Sequence, residues 1–190
     1  GAAAGVLGDP ALDPNAIGGP GATARAGDYY LRNSCARFVV QAPGRVFSPI
    51  PEGGNLIDAD IVRPDGEPGD DEFGELTGFL NAMLTTIFDD RSEATVVNDG
   101  TDGRAAVIEV RGGHIDVIEY MNIPSILYDS GFGAAMEQAI VASQPWMDSV
   151  EVMVRYALLP DECMLRVTYA LYNADAASGP TISTSVGTFY

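Results

Sequence analysis

The sequence predicts a mainly β domain, an antiparallel β-sandwich with one or two short helical insertions, and three observations predict it. In residues 149–159 the even positions Val150, Val152, Val154, Tyr156 and Leu158 are apolar, and in residues 163–173 the odd positions Cys163, Leu165, Val167, Tyr169 and Leu171 are. Glu151, Arg155, Arg166 and Thr168 lie between them, a period of two that buries one face of a sheet and leaves the other polar. From residue 28 onward short β-rich runs alternate with Gly, Pro, Asn and Asp, about nine strands in all, the punctuation of an all-β domain. Finally, 46% of the 190 residues are hydrophobic and only 19% are charged, enough apolar material for one packed core.

Residues 1–27 are Gly, Ala, Pro and small polar residues, with larger apolar side chains only at Val6, Leu7, Leu12 and Ile17. Such a segment cannot bury enough surface to order itself, so it is read as a tail apart from the sandwich of residues 28–190. The body of its own domain or a neighbouring copy has to hold it. Its Gly/Ala-rich opening is of the kind that follows a removed secretory leader or a lipidated cysteine. Residues 28–32 and 35–41 form a hairpin across Asn33-Ser34, ended by Ala42-Pro43-Gly44. Residues 55–62 form the next strand, closed by the turn Arg63-Pro64-Asp65-Gly66, where proline sets φ and glycine permits a positive one.

The carboxylates Asp65, Glu67, Asp70, Asp71, Glu72 and Glu75 follow, and then Phe73, Leu76, Leu80, Met83, Leu84, Ile87 and Phe88 at helical spacing. This predicts a helix with Asp70 or Asp71 as its cap, weakened by about 1 kcal/mol at Gly78. Residues 94–98, 105–111 and 114–120 are three further strands, the first two joined through Asp99-Gly100-Thr101-Asp102-Gly103 and the second pair through a reversal at Gly112-Gly113. Met136, Ala139, Ile140 and Ser143 predict a second helix within residues 125–143, stopped by Gln144-Pro145. The alternating hairpin turns at Pro160-Asp161-Glu162, and after a loop at 173–180 the last strand is residues 181–190. There is no internal repeat and no interior linker.

Ten basic residues, all Arg, stand against 27 acidic ones, a formal net charge of −17. That field repels a nucleic-acid backbone and an anionic membrane surface alike, which excludes both as default partners. No apolar run approaches the ~18 residues of a spanning helix, so no membrane span is expected. Absence of Lys reflects either GC-rich codon usage or a surface selected for acidity, and the second suits an extracellular or cell-surface setting. Cys35 and Cys163 are far apart and outside any C-x-x-C spacing, so they are either two buried thiols or one long-range disulfide.

Leu165-Arg166-Val167-Thr168-Tyr169-Ala170-Leu171-Tyr172-Asn173, with a polar loop and a strand after it, is similar to the late strand pair of the galactose-mutarotase-like β-supersandwich family. Arg37-Phe38-Val39-Val40 leading to Gly53-Gly54-Asn55-Leu56-Ile57 resembles that family's opening. The resemblance spans residues 28–190 and implies a supersandwich-like fold, a place at the front of longer secreted bacterial proteins, and a tendency to meet carbohydrate. It does not carry the activity. Epimerisation in that family relies on two histidines and a carboxylate, and His114 is the only histidine in this chain.

The remaining chemistry is sparse. His114 at the start of a strand is either a hydrogen-bonded surface histidine or a general base. No G-x-S-x-G elbow, phosphate loop or transition-metal spacing occurs. Asp65, Glu67, Asp70, Asp71 and Glu72 form either a solvated acidic loop or a set of hard oxygen ligands for calcium. Tyr29, Tyr30 and Trp146 either pack in the core or stack on a sugar ring. The expected function is therefore a non-catalytic secreted structural subunit, with no cofactor beyond calcium. It would form a homo-oligomer or polymer through Val6, Leu7, Leu12 and Ile17 of the tail, or through the terminal strand. The alternative is a glycan-binding module of a larger secreted protein.

Overall fold

The computed structural model describes residues 1–45, 53–63, 69–71, 86–88, 92–112, 114–116, 138 and 150–173. They form ten strands: β1 (Ala3–Val6), β2 (Tyr29–Arg32), β3 (Ala36–Val40), β4 (Leu56–Ile61), β5 (Thr86–Phe88), β6 (Glu93–Asn98), β7 (Ala106–Gly112), β8 (His114–Asp116), β9 (Val150–Leu158) and β10 (Leu165–Asn173). Two four-stranded antiparallel sheets, ordered β1-β2-β3-β4 and β10-β9-β7-β6, pack face to face, and β5 pairs with β8 in a small third sheet. The molecule is the antiparallel β-sandwich that its alternating sequence predicts.

The inner faces meet in one cluster. Ala4, Leu31, Val40 and Leu56 come from the first sheet, and Ile108, Val110, Val154, Tyr156, Leu158 and Val167 from the second. Three polar groups cross between the sheets. The Tyr156 hydroxyl donates to the Gly54 carbonyl at 2.8 Å and the Tyr29 hydroxyl to the Ala94 carbonyl at 2.9 Å, so both aromatics bury a ring without orphaning an oxygen. Asn33 ties the β2–β3 turn to the β9–β10 turn. Its amide nitrogen donates to the Leu159 and Glu162 carbonyls, and its oxygen accepts from the Cys35 and Ala36 amides. Beside it the Cys35–Cys163 disulfide closes the same corner, with 5.2 Å between the α-carbons.

The hairpin of β9 and β10 pairs Leu165 with Leu158 through Asn173 with Val150 without a register shift. Val152, Val154, Leu165 and Val167 are buried on its inner side, as period two requires. Two other expectations are corrected. Ile87 and Phe88 belong to strand β5, paired with Ile115 and His114, and not to a helix. Thr86-Ile87-Phe88 is a β-branched and aromatic run, whose side chains fit a pleated surface better than a helix. β7 and β8 are not a paired hairpin either, because they lie in different sheets. Gly112 serves close approach, since a β-carbon there would overlap the Ser92 side chain. The rest of the first helix, the second helix apart from residue 138, and the last strand lie outside the described residues.

Residues 1–27 are built into the sandwich. β1 is an edge strand antiparallel to β2, with Ala2 and Ala4 in the main core. Gly5 is required there, because a β-carbon would meet the Tyr30 ring at 2.8 Å. Beyond β1 the chain crosses the outer face of the first sheet, where Leu7 and Ile17 join Val39 and Ile57 in a second buried cluster.

Candidate functional site

The most concentrated polar chemistry lies beneath this N-terminal strap. Simple alternation along β4 would send Leu56 inward, Ile57 outward and Asp58 into the sandwich core. A bulge between Val39 and Val40 on the β3 pairing makes Ile57 the extra residue, and Asp58 emerges on the same outer face. There it is fully buried under the strap, and its carboxylate accepts the Thr23 amide (2.9 Å), the Thr23 hydroxyl (3.1 Å) and the Ala24 amide (2.9 Å). Asp28, also buried, accepts the Arg25 amide (2.7 Å) and the Ala42 amide (2.9 Å) and lies 3.1 Å from the Arg45 guanidinium.

Burial pushes both carboxyls above the ordinary aspartate range. Their amide bonds pull the other way without cancelling it, and the nearby Asp71 raises Asp58 further. Asp71 is buried as well. One oxygen accepts the Ala59 amide at 3.1 Å, and its main chain exchanges hydrogen bonds with Gly18 and Gly21 of the strap. Gly19, at φ 127°, passes so close to the Asp71 backbone that any β-carbon would overlap it. Chemically, this arrangement fixes chain to chain. Carboxylate oxygens that accept backbone amides in a closed space are not presented to a substrate.

The outer face of the second sheet carries the other polar group. Glu109 on β7 lies between Arg111 of its own strand and Arg155 of β9, whose Nε donates to it at 2.8 Å. Burial alone would raise Glu109, but the hydrogen bonds from Arg155 and Arg111 outweigh it and hold the carboxyl below its usual range. The Arg111 guanidinium reaches across the sheet to lie 5.5 Å from the centre of the Tyr172 ring, in cation–π range. Arg166 at the near end of β10 is held by Glu162.

The structure scatters most residues that the sequence singled out. Val6 and Leu12 are exposed, whereas Leu7 and Ile17 are buried against their own sheet. Tyr29 and Tyr30 are neighbours on β2 and point to opposite faces, one to each hydrophobic cluster, so they form no common stacking platform. Asp71 faces inward beside β4, whereas Asp70 is exposed. Trp146, Asp65, Glu67 and Glu72 lie outside the described residues, among which no group of three His, Cys, Asp or Glu side chains converges for a metal. His114 is placed opposite Phe88 in the small sheet. Cys35 and Cys163 are brought together, in the bonded alternative of the two.

Asp28, Asp58 and Asn33 were missed. Their signal is an acid or amide set into an apolar strand run, as in Leu56-Ile57-Asp58-Ala59, where a buried group must have a partner arriving from elsewhere. Among known proteins, the chain matches no family model, no curated protein and no solved structure. The fold and the strap define its class, a disulfide-closed antiparallel β-sandwich with its N-terminal segment clasped across one outer face.

Proposed function

We propose that this chain is a non-catalytic structural subunit of an extracellular or cell-surface assembly, associating with copies of itself. One observation carries the reading: the buried carboxylates Asp28, Asp58 and Asp71 all accept backbone amides of their own chain. In a catalytic site such groups face a cleft with their acceptor capacity open. Here the same groups lock an N-terminal segment that has few apolar side chains of its own. The disulfide, formed across the two sheets, fits an oxidising compartment. The net charge of −17 keeps such a protein soluble and favours contact through surfaces poor in carboxylate.

Light scattering on the purified protein over a wide concentration range tests the reading, together with a mutarotation assay on common aldoses. The expected results are a mass above one chain at high concentration and no acceleration. A protein that stays monomeric throughout, or an acceleration abolished by His114→Ala, would overturn it. A second reading, a carbohydrate-binding module, is favoured by the outer face on which the Arg111 guanidinium lies over the Tyr172 ring, and by the resemblance to the galactose-mutarotase-like family. Glycan-array binding that is lost in Tyr172→Ala would support this alternative.

A further inference from the structure

The sandwich has four outer strand edges, and the chain closes three of them. At β1 the outward amide of Ala4 donates to the Asp99 carbonyl at 3.0 Å, and Gly100 packs on the Ala2 carbonyl. At β4 the Asp71 carboxylate accepts the Ala59 amide, and the strand is bulged. At β6 a second bulge lies between Val96 and Asn98, and the Tyr29 hydroxyl takes the Ala94 carbonyl. These are the devices that blunt an edge against strand addition.

The fourth edge is β10, and among the described residues it has none of them. It is nine residues long, free of Pro and Gly, and paired with β9 without a bulge. Among the described residues nothing hydrogen-bonds to the backbone of its outer side. We propose that β10 pairs antiparallel with β10 of a second copy, joining the two β10-β9-β7-β6 sheets into one continuous sheet about a twofold axis at Tyr169. This inference rests on the assembly reading above and names its surface and partner.

The register follows from the strand itself. Self-pairing is symmetric, so one position must face itself, and only Tyr169, the centre of Leu165–Asn173, brings all nine residues into the pair. Leu165 then faces Asn173, Arg166 faces Tyr172, Val167 faces Leu171 and Thr168 faces Ala170. Odd positions meet odd ones and even meet even, so inner and outer faces stay matched across the axis. Leu165, Val167 and Tyr169 already line the core, and pairing makes that apolar row continuous between copies. Charge points the same way. β10 has no carboxylate, in a chain of net charge −17, and its single charged side chain, Arg166, would meet an aromatic ring and not its own symmetry mate. Tyr172 already takes a guanidinium, that of Arg111.

Thr168→Lys is the discriminating variant. The side chain lies on the outer face, away from the core, and in this register the two ammonium groups become diagonal neighbours across the axis. Light scattering is expected to give twice the 20.0 kDa chain mass for the unmodified protein and one chain mass for the variant, with the melting temperature of the monomer unchanged. Hydrogen exchange on the unmodified protein serves as an independent readout should the variant fold poorly. The outward-facing alternate amides of β10 should become protected as concentration rises. An oligomer that survives Thr168→Lys with freely exchanging β10 amides sinks this inference and leaves self-association standing. A monomer at every concentration sinks both, and concentration-independent protection of β10 would then assign the edge to residues 181–190 of the same chain.

Discussion

Asp58 shows how one residue decides a whole segment. Three donors converge on its carboxylate, the Thr23 amide and hydroxyl and the Ala24 amide. Replacing it with alanine leaves buried donors without acceptors, each of which costs about 1–3 kcal/mol, partly offset because an ionised carboxylate no longer has to be buried. Asp58→Ala is therefore expected to lower unfolding stability by about 2 kcal/mol in denaturant titration and to open residues 18–27 to limited proteolysis. An unchanged midpoint and cleavage pattern would mean that the strap is held by Leu7 and Ile17 alone. Asn33 works on the same principle, with its four hydrogen bonds joining two turns that are remote in sequence.

Among the elements, β9 and β10 were legible because the inner face of each is apolar while the outer one carries Glu151, Arg155, Arg166 and Thr168, so the alternation appears directly in the sequence even though Met153 and Ala170 are buried on the outer side. Neighbouring positions on β10 should accordingly behave in opposite ways. Val167 is 6% exposed on the inner face, and Val167→Asp puts an unpaired carboxylate in the core, a lesion of the class that costs more than about 4 kcal/mol. It is expected to abolish cooperative unfolding, whereas Thr168→Lys on the outer face keeps it. Calorimetry that finds a normal transition in Val167→Asp would contradict the assigned face. The first sheet was harder to read, because apolar clusters cover both of its faces and the bulge at Ile57 breaks the alternation at the residue that matters most. The strap was illegible for another reason. Its order comes from amides that receive acceptors from β4 and from Asp28, and amides leave no trace in a hydrophobicity pattern. Ile87 and Phe88 mislead for a third, since the spacing of apolar residues reports a period and says nothing of a partner such as β8.

For the whole molecule, the buried and exposed carboxylates set a pH dependence whose sign follows group by group. Burial holds Asp28 and Asp58 above the usual range, so the folded chain binds their protons more tightly than the unfolded chain. Their contribution to stability is complete below the unfolded value of about 4 and is lost as pH rises through the raised folded values. Among the described residues, five other groups run the opposite way. Asp13 is lowered first by the Gly8 amide, Asp99 by that of Thr101 and Asp102 by that of Arg104. In Asp60 and Glu109 burial pushes upward but is outweighed by the paired arginines, Arg63 and Arg37 in one case, Arg155 and Arg111 in the other. What these five contribute is present above about pH 4 and disappears as pH falls through their lowered folded values. Between neutrality and about pH 4 the buried pair therefore governs, in the same direction as the discharge of a chain that carries a net −17. The melting temperature is expected to rise on mild acidification and to fall below about pH 4 as the arginine-paired carboxylates protonate. Asp28→Asn and Asp58→Asn should each flatten the limb between the peak and neutral pH, whatever they do to the absolute melting temperature. A maximum at neutral pH or above, with a slope that neither substitution alters, would show that the strap's carboxylates do not titrate as buried acids.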